Sequence, residues 1–275
     1  MIDSHIHFWD LRYQRNQWVH KTRLPEQVTP NQVNDQSPAN AFVHIEAHDP
    51  DCDALCEVNW LESLKLPFQL KFVAYAPFDQ SNTVFLKTLK RFASNRHIVG
   101  VRDIMAADSM LNYTPGQNKK IIDLSGKLNA LKQQQLIFEA QLYPHQLLNN
   151  ADTIAHSDVT MALEHMGLPV WQDAKRWQQW KQAIVTISQM PHWFVKLSGH
   201  SLLNLPFEGL MACLDWLFTH IPCHRLCWGS NYPVCFPNQP DQWYRLVDQA
   251  LSLLVTKHEK NNIFHQTAAN LYQFH

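Results

Sequence analysis

Two histidines lie two apart near the start of the chain, in Met1-Ile2-Asp3-Ser4-His5-Ile6-His7-Phe8-Trp9-Asp10, and a third, His165, closes a short apolar run far downstream. On an extended strand residues i and i+2 share a face, so His5 and His7 point the same way. Neutral imidazole ligates zinc and similar ions, and three protein ligands with one open position is the usual catalytic arrangement. The same three groups can instead polarise a carbonyl with no metal present. Because the chain carries 16 His in 275 residues, an H-x-H pair carries weight through its place in the first strand-like run rather than through its existence. The pairs His44/His48 and His220/His224 are set aside: four residues on a strand do not bring ligands together, and Pro222 interrupts the second pair.

Such groups need a scaffold. Apolar runs of strand length recur at Ile2 to Phe8, Ala41 to Ala47, Leu70 to Ala76, Ile98 to Arg102, Leu136 to Leu142, Thr160 to His165, Trp193 to Ser198 and Arg225 to Asn231. Between them run helical stripes, Ile121-Leu124-Leu128-Leu131, Trp177-Trp180-Ile184-Ile187, and Trp243-Val247-Ala250-Leu251-Leu254, the last with Asp241 as its expected N-cap. Eight strand-then-helix units predict a single (β/α)8 barrel over residues 1–275. A doubly wound sheet would want a glycine-rich first turn, and with 7 Gly the chain has neither G-x-G-x-x-G nor G-x-x-x-x-G-K. The proline-spaced stretch from Lys21 to Asn40 is expected to be a long loop at the mouth, either a substrate contact or a surface excursion.

Composition excludes several classes. Apolar residues make up 45% and charged ones 17%, which is globular, and the formal charge of −1 leaves no electrostatic footprint for nucleic acid or anionic lipid. No apolar run approaches the roughly 18 residues of a membrane span, so a cytoplasmic protein acting on a small molecule is expected, as monomer or homo-oligomer. Cys52, Cys56, Cys213, Cys223, Cys227 and Cys235 lack C-x-x-C spacing and are expected to be reduced core residues.

Four further side chains are candidates for holding substrate. Arg102 ends the fourth run, where its fork suits a carboxylate or hydroxyl, the alternative being an ion pair at the rim. Lys196 lies inside a strand, Tyr143 directly follows the fifth run, and Trp9 beside His7 can line a sugar-sized pocket.

An ordered set of motifs runs along nearly the whole chain. It comprises Ile2-Asp3-Ser4-His5-Ile6-His7-Phe8-Trp9-Asp10, Val99-Gly100-Val101-Arg102, Phe138-Glu139-Ala140-Gln141-Leu142-Tyr143-Pro144 and Glu164-His165-Met166-Gly167-Leu168-Pro169. It continues through Lys196-Leu197-Ser198-Gly199, Gly229-Ser230-Asn231-Tyr232-Pro233-Val234 and Thr267-Ala268-Ala269-Asn270-Leu271-Tyr272. The set resembles the amidohydrolase-related (amidohydrolase 2) family, in particular its sugar-lactonase branch with L-fuconolactonase and 2-pyrone-4,6-dicarboxylate lactonase. That resemblance implies a distorted barrel in which His5, His7 and His165 surround a hydrolytic water, with or without one divalent ion such as zinc or manganese.

One position departs from the pattern. The family's last-strand motif resembles G-S-D-W-P-V, whose Asp takes a proton from water, and this chain carries Asn231 there, a neutral amide that cannot act as a base. The expected activity is lactone hydrolysis with another base, for which Glu46, Glu139 and His200 are candidates, or with a strained substrate that needs little help. The alternatives are a decarboxylase of the same superfamily and a degenerate barrel that binds a small molecule.

Overall fold

The computed structural model describes residues 1–13, 16, 18–49, 52–235 and 239–274. Eight parallel strands form one sheet in chain order: β1 Ile2–Ile6, β2 Ala41–Ile45, β3 Gln69–Tyr75, β4 Ile98–Arg102, β5 Ile137–Ala140, β6 Met161–Leu163, β7 Trp193–Leu197 and β8 Leu226–Trp228. Helices cover the outside: α1 Cys56–Ser63, α2 Asn82–Phe92, α3 Leu124–Gln133, α4 Pro144–Ser157, α5 Ala174–Ser188, α6 Phe207–His220 and α7 Pro240–Ser252. This is the predicted (β/α)8 barrel. All five residues of β1, β2 and β4 are buried, as strands covered on both faces require.

The barrel closes without a regular ladder between β8 and β1. The seam is made instead by Ser4 Oγ donating to the Trp228 carbonyl (2.7 Å), Asn231 N–H donating to His5 O (2.8 Å) and His7 N–H donating to Tyr232 O (2.8 Å). Both histidine-bearing residues of the opening motif are therefore held by backbone from the last strand's exit loop. Inside, Ile2, Val43, Val73, Val99, Ile137, Ala162 and Cys227 supply one apolar residue from each of seven strands, and Tyr272 packs against them from the C-terminal segment.

Three expectations are corrected in detail. Asp241 is not the cap of α7: the helix starts at Pro240, and Gln239 precedes it with its N–H donated to Gln242 Oε1 (3.1 Å), because Pro fixes the first helical φ. Ile121 lies before α3, whose cap is Asp123, accepting from the Gly126 N–H, and Leu254 falls beyond the end of α7. The six cysteines are free, but Cys56 is exposed and Cys52 and Cys223 are half-buried, so three of them are not core residues.

The Lys21 to Asn40 stretch is also more ordered than a loop. Gln27–Val28 pairs antiparallel with Trp9–Asp10, and Pro30–Asn34 forms a short helix. Asp10 ties this ribbon together by accepting from Arg12 Nε and Nη2 and from Gln27 Nε2, and those donors hold its carboxyl down at about 2. A depressed acid stabilises above its unfolded value near 3.8, and the contribution disappears as pH falls towards 2. Asp10→Asn is expected to cost on the order of 1 kcal/mol, since Arg12 is solvent-exposed. Urea unfolding should show that gap between variant and parent at neutral pH, and the gap should shrink on acidification below 3.8.

Candidate active site

His5 sits on β1 and His7 one step beyond it, while His165 lies just past β6 in a turn whose backbone is left-handed at His165 (φ +52°), Met166 (φ +56°) and Leu168 (φ +51°). This conformation, costly for residues with a Cβ, turns the chain sharply at the strand end. Two glycines permit the convergence. A Cβ on Gly199 would lie 2.6 Å from His165 Cγ, and one on Gly229 would lie 2.5 Å from His5 Cβ, so the exits of β7 and β8 pass against the two imidazoles only without side chains.

The rings do meet. The His5 centroid lies 4.7 Å from that of His165 and 5.1 Å from that of His7. Glu164, buried next to His165, brings Oε1 to 3.5 Å from His5 Nδ1 and Oε2 to 3.9 Å from His165 Nε2. One donor atom each from His5, Glu164 and His165 fit within 4.8 Å of one another. His7 stands outside this triplet, contrary to the expected ligand set of His5, His7 and His165. Its Nδ1 donates to the Ile45 carbonyl (2.8 Å), which fixes the tautomer and leaves Nε2 as an acceptor. His165 Nδ1 is held by Ser198 Oγ at 2.9 Å. Burial pushes all three imidazoles well below their ordinary value, helped at His5 by Lys196 and at His7 and His165 by Arg102, so they are neutral.

His5 is fully buried and neither ring nitrogen has a hydrogen-bond partner. Such an orphan is costly unless something else occupies it. Two imidazoles and a carboxylate at this spacing form a donor set suited to a divalent ion such as zinc, so the residues present fit one.

Above the triplet opens a cavity of about 340 Å³, lined among others by His7, Trp18, Glu46, Arg102, Tyr113, Gln141, His165 and Asn231. Asn231 is nine-tenths and more buried, it lines the cavity, and its side-chain Nδ2 has no hydrogen-bond partner. Arg102 reaches the cavity with each of its three nitrogens engaged: Nε donates to Glu46 Oε1 (2.7 Å), Nη2 to the Glu46 carbonyl (2.6 Å), and Nη1 to Glu164 Oε2 (3.1 Å) and Gln141 Oε1 (3.4 Å). Burial opposes its charge, yet Glu164 and Glu46 hold it above the ordinary guanidinium value.

The other substrate candidates are not brought to the cavity. Lys196 is buried deeper in the barrel, where Nζ donates to Ser4 O (2.8 Å) and pairs with Glu139 at 2.9 Å, and Tyr272 donates its hydroxyl to the same Glu139 at 2.6 Å. Tyr143 donates to the Tyr113 carbonyl (2.7 Å), so it fixes the loop that carries the lining Tyr113. Trp9 donates to the Pro25 carbonyl and packs edge-on against Trp18, which lines the cavity in its place. Of the candidate bases only Glu46 lines the cavity, and its oxygens accept from Arg102 and from the His48 N–H. Glu139 lies below with Lys196, and His200 stacks on Trp243 in a separate pocket.

Sequence reasoning missed Glu164, Trp18, Tyr113 and Gln141. Glu164 was within reach of it, as a carboxylate adjoining His165 at a strand end.

A family model described as Amidohydrolase matches residues 2–274. An L-fucono-1,5-lactonase from Burkholderia multivorans is 24% identical, with 98% of this chain and 95% of that protein covered. A crystal structure of an amidohydrolase from Burkholderia multivorans with bound zinc superposes with a TM-score of 0.80 at 19% identity, covering 99% of this chain and 98% of the other. A putative 2-pyrone-4,6-dicarboxylic acid hydrolase from Pseudomonas putida superposes with a TM-score of 0.72 at 18% identity, covering 99% and 97%. Among the described residues no helix is long and apolar enough to cross a membrane.

Proposed function

Because the chain belongs to the amidohydrolase family, we propose that it hydrolyses a lactone or related small cyclic ester at the mouth of the barrel. The observation that carries the reading is the convergence of His5, Glu164 and His165 beneath a cavity into which His7 and Asn231 also project. His5, Glu164 and His165 would hold a divalent ion, which supplies Lewis acidity towards a carbonyl and acidifies water. Everything else falls to the chain itself.

His7, fixed as the Nδ1–H tautomer, presents a neutral Nε2 that accepts a hydrogen bond from the attacking water and orients it. Asn231 Nδ2 donates to the ester oxygen as negative charge develops on it, which gives the amide a positive role where a carboxylate would repel that charge. Trp18 and the Tyr113 loop screen the water from bulk solvent.

The test is proton release from a panel of five- and six-membered aldonolactones and aromatic-derived lactones, on metal-stripped protein and again with zinc or manganese. Turnover well above the buffer rate supports the reading, and the paired conditions report the metal's share. Silence across the panel in both conditions sinks it and leaves decarboxylation and small-molecule binding. On whichever lactone turns over, Asn231→Ala is expected to lower kcat about 10- to 100-fold, the value of one hydrogen bond to a developing charge, with KM little changed. An Asn231→Asp variant that gained activity would assign the amide to loss of function instead.

A further inference from the structure

Below the cavity the barrel interior carries a charged pair that the chemistry above does not use. Lys196 on β7 and Glu139 on β5 meet at 2.9 Å, both fully buried. The Tyr272 hydroxyl, from the C-terminal segment, donates to Glu139 at 2.6 Å, and Lys196 Nζ stands 5.1 Å from the centre of the Tyr272 ring. Tyr272 itself packs in an apolar layer with Val43, Val73, Val99, Ile137 and Ala162. Apolar side chains of similar volume are typically as stable as a buried ion pair or more so. Stability alone therefore does not account for the pair.

What the pair reaches is the backbone of β1. Lys196 Nζ donates to the Ser4 carbonyl (2.8 Å), and the N–H of the same peptide unit, on His5, donates to Asp3 Oδ1 (3.1 Å). Asp3 Oδ1 also accepts from the Ser230 N–H (2.9 Å), just past the end of β8. Along this stretch β1 leaves its register with β2: pairing holds at Ile2 and Asp3, shifts, and resumes at Ile6. Such irregularities re-aim a side chain beside an active site. The peptide that aims His5 is thus gripped at both ends by side chains, where its ladder is irregular.

We infer that Lys196 is a positioning residue: anchored by Glu139, which Tyr272 anchors in turn, it holds the Ser4–His5 peptide and so sets where the His5 imidazole stands relative to Glu164 and His165. The first measurement below rests on the reading of His5 as a ligand of a divalent ion; the geometric claim holds with or without one.

The test is the zinc affinity of metal-stripped, full-length protein, read by competition with a chelating indicator dye. The variant is Lys196→Met combined with Glu139→Gln. Both charges go together, so the net charge near the triplet is unchanged, no carboxylate is stranded, and an amide oxygen remains to accept from Tyr272. Only the hold on Ser4 is lost. The double variant is expected to bind zinc about 10- to 100-fold more weakly than the parent, the usual cost of losing a group that orients a metal ligand. Val99→Ala, in the same apolar layer, is the control: it is expected to lower the melting temperature and to keep the parent's zinc affinity. Crystal structures of parent and double variant give a reading that needs no metal. The His5 ring, 4.7 Å from His165 in the parent, is expected to move by about 1 Å. Should the double variant fail to fold, Tyr272→Phe, which deletes one hydroxyl and keeps the ring, takes its place with an expected loss of about threefold in zinc affinity. A zinc-binding parent matched in affinity by its folded variant, a His5 ring that stays in place, or an equal loss in Val99→Ala overturns the proposal. A parent that binds no zinc, with His5 displaced in the variant, removes the ion from the function proposed above and leaves the positioning role standing.

Discussion

Replacement of His165 by alanine is expected to lower lactone turnover by about 10²- to 10⁴-fold, the largest catalytic loss of any single change at this site. His165 contributes one corner of the His5–Glu164–His165 triplet and lines the cavity as well, so its loss strips both the ligand set and the polarising group. The backbone complicates the choice of variant. His165 sits at φ +52°, where any residue with a Cβ is strained, and its neighbours Met166 and Leu168 share that conformation. Alanine keeps the strain and removes the contacts to Ser198 and Glu164 that offset it. Glycine relieves the strain, so His165→Gly separates the two effects. Both variants should lose turnover and take up less added zinc than the parent, while thermal melting shows His165→Gly to be the better folded. Turnover retained in a folded His165→Gly would remove His165 from the catalytic set.

The scaffold was more legible than the site because the two are written at different ranges. Strand positions follow from local apolar runs, and all eight strands fall within the runs from Ile2 to Asn231 or one residue outside them. H-x-H is likewise local, since the period of a strand puts His5 and His7 on one face whatever the rest of the chain does. What strand identity cannot say is how deep a side chain sits. Lys196 lies in its strand-like run, and Trp9 and Tyr143 just past theirs, yet all three turn to other partners, because alternation and a few ångströms of depth decide between cavity and core. Trp18 and Tyr113 were invisible for the converse reason: they belong to loops, and only tertiary contacts, such as the Trp18 N–H to the Ala47 carbonyl and the Tyr143 hydroxyl to the Tyr113 carbonyl, carry them to the mouth. Glu164 was obscured by its neighbour. A carboxylate beside a metal-ligand candidate reads as ordinary capping or solubility until it is seen buried at 3.5 Å from a histidine five strands away.

The largest effect on stability is expected at Arg102. Arg102→Met removes the one cation that holds Glu46 and Glu164 together in a buried site and leaves two carboxylates facing each other. Breaking a buried pair by deleting one partner typically costs about 3–5 kcal/mol, because the charge left behind is uncompensated, and here two are left. Urea unfolding at neutral pH should therefore show a large loss. Adding Glu46→Gln to Arg102→Met should recover stability at neutral pH, since it removes one of the two stranded charges. Arg102→Lys is expected to fall between, because a single ammonium cannot reproduce the fork that binds Glu46 through Nε and Glu164 through Nη1 at once. If Arg102→Met proved as stable as the parent at neutral pH, the Glu46–Arg102–Glu164 cluster would not be a tightly paired buried unit.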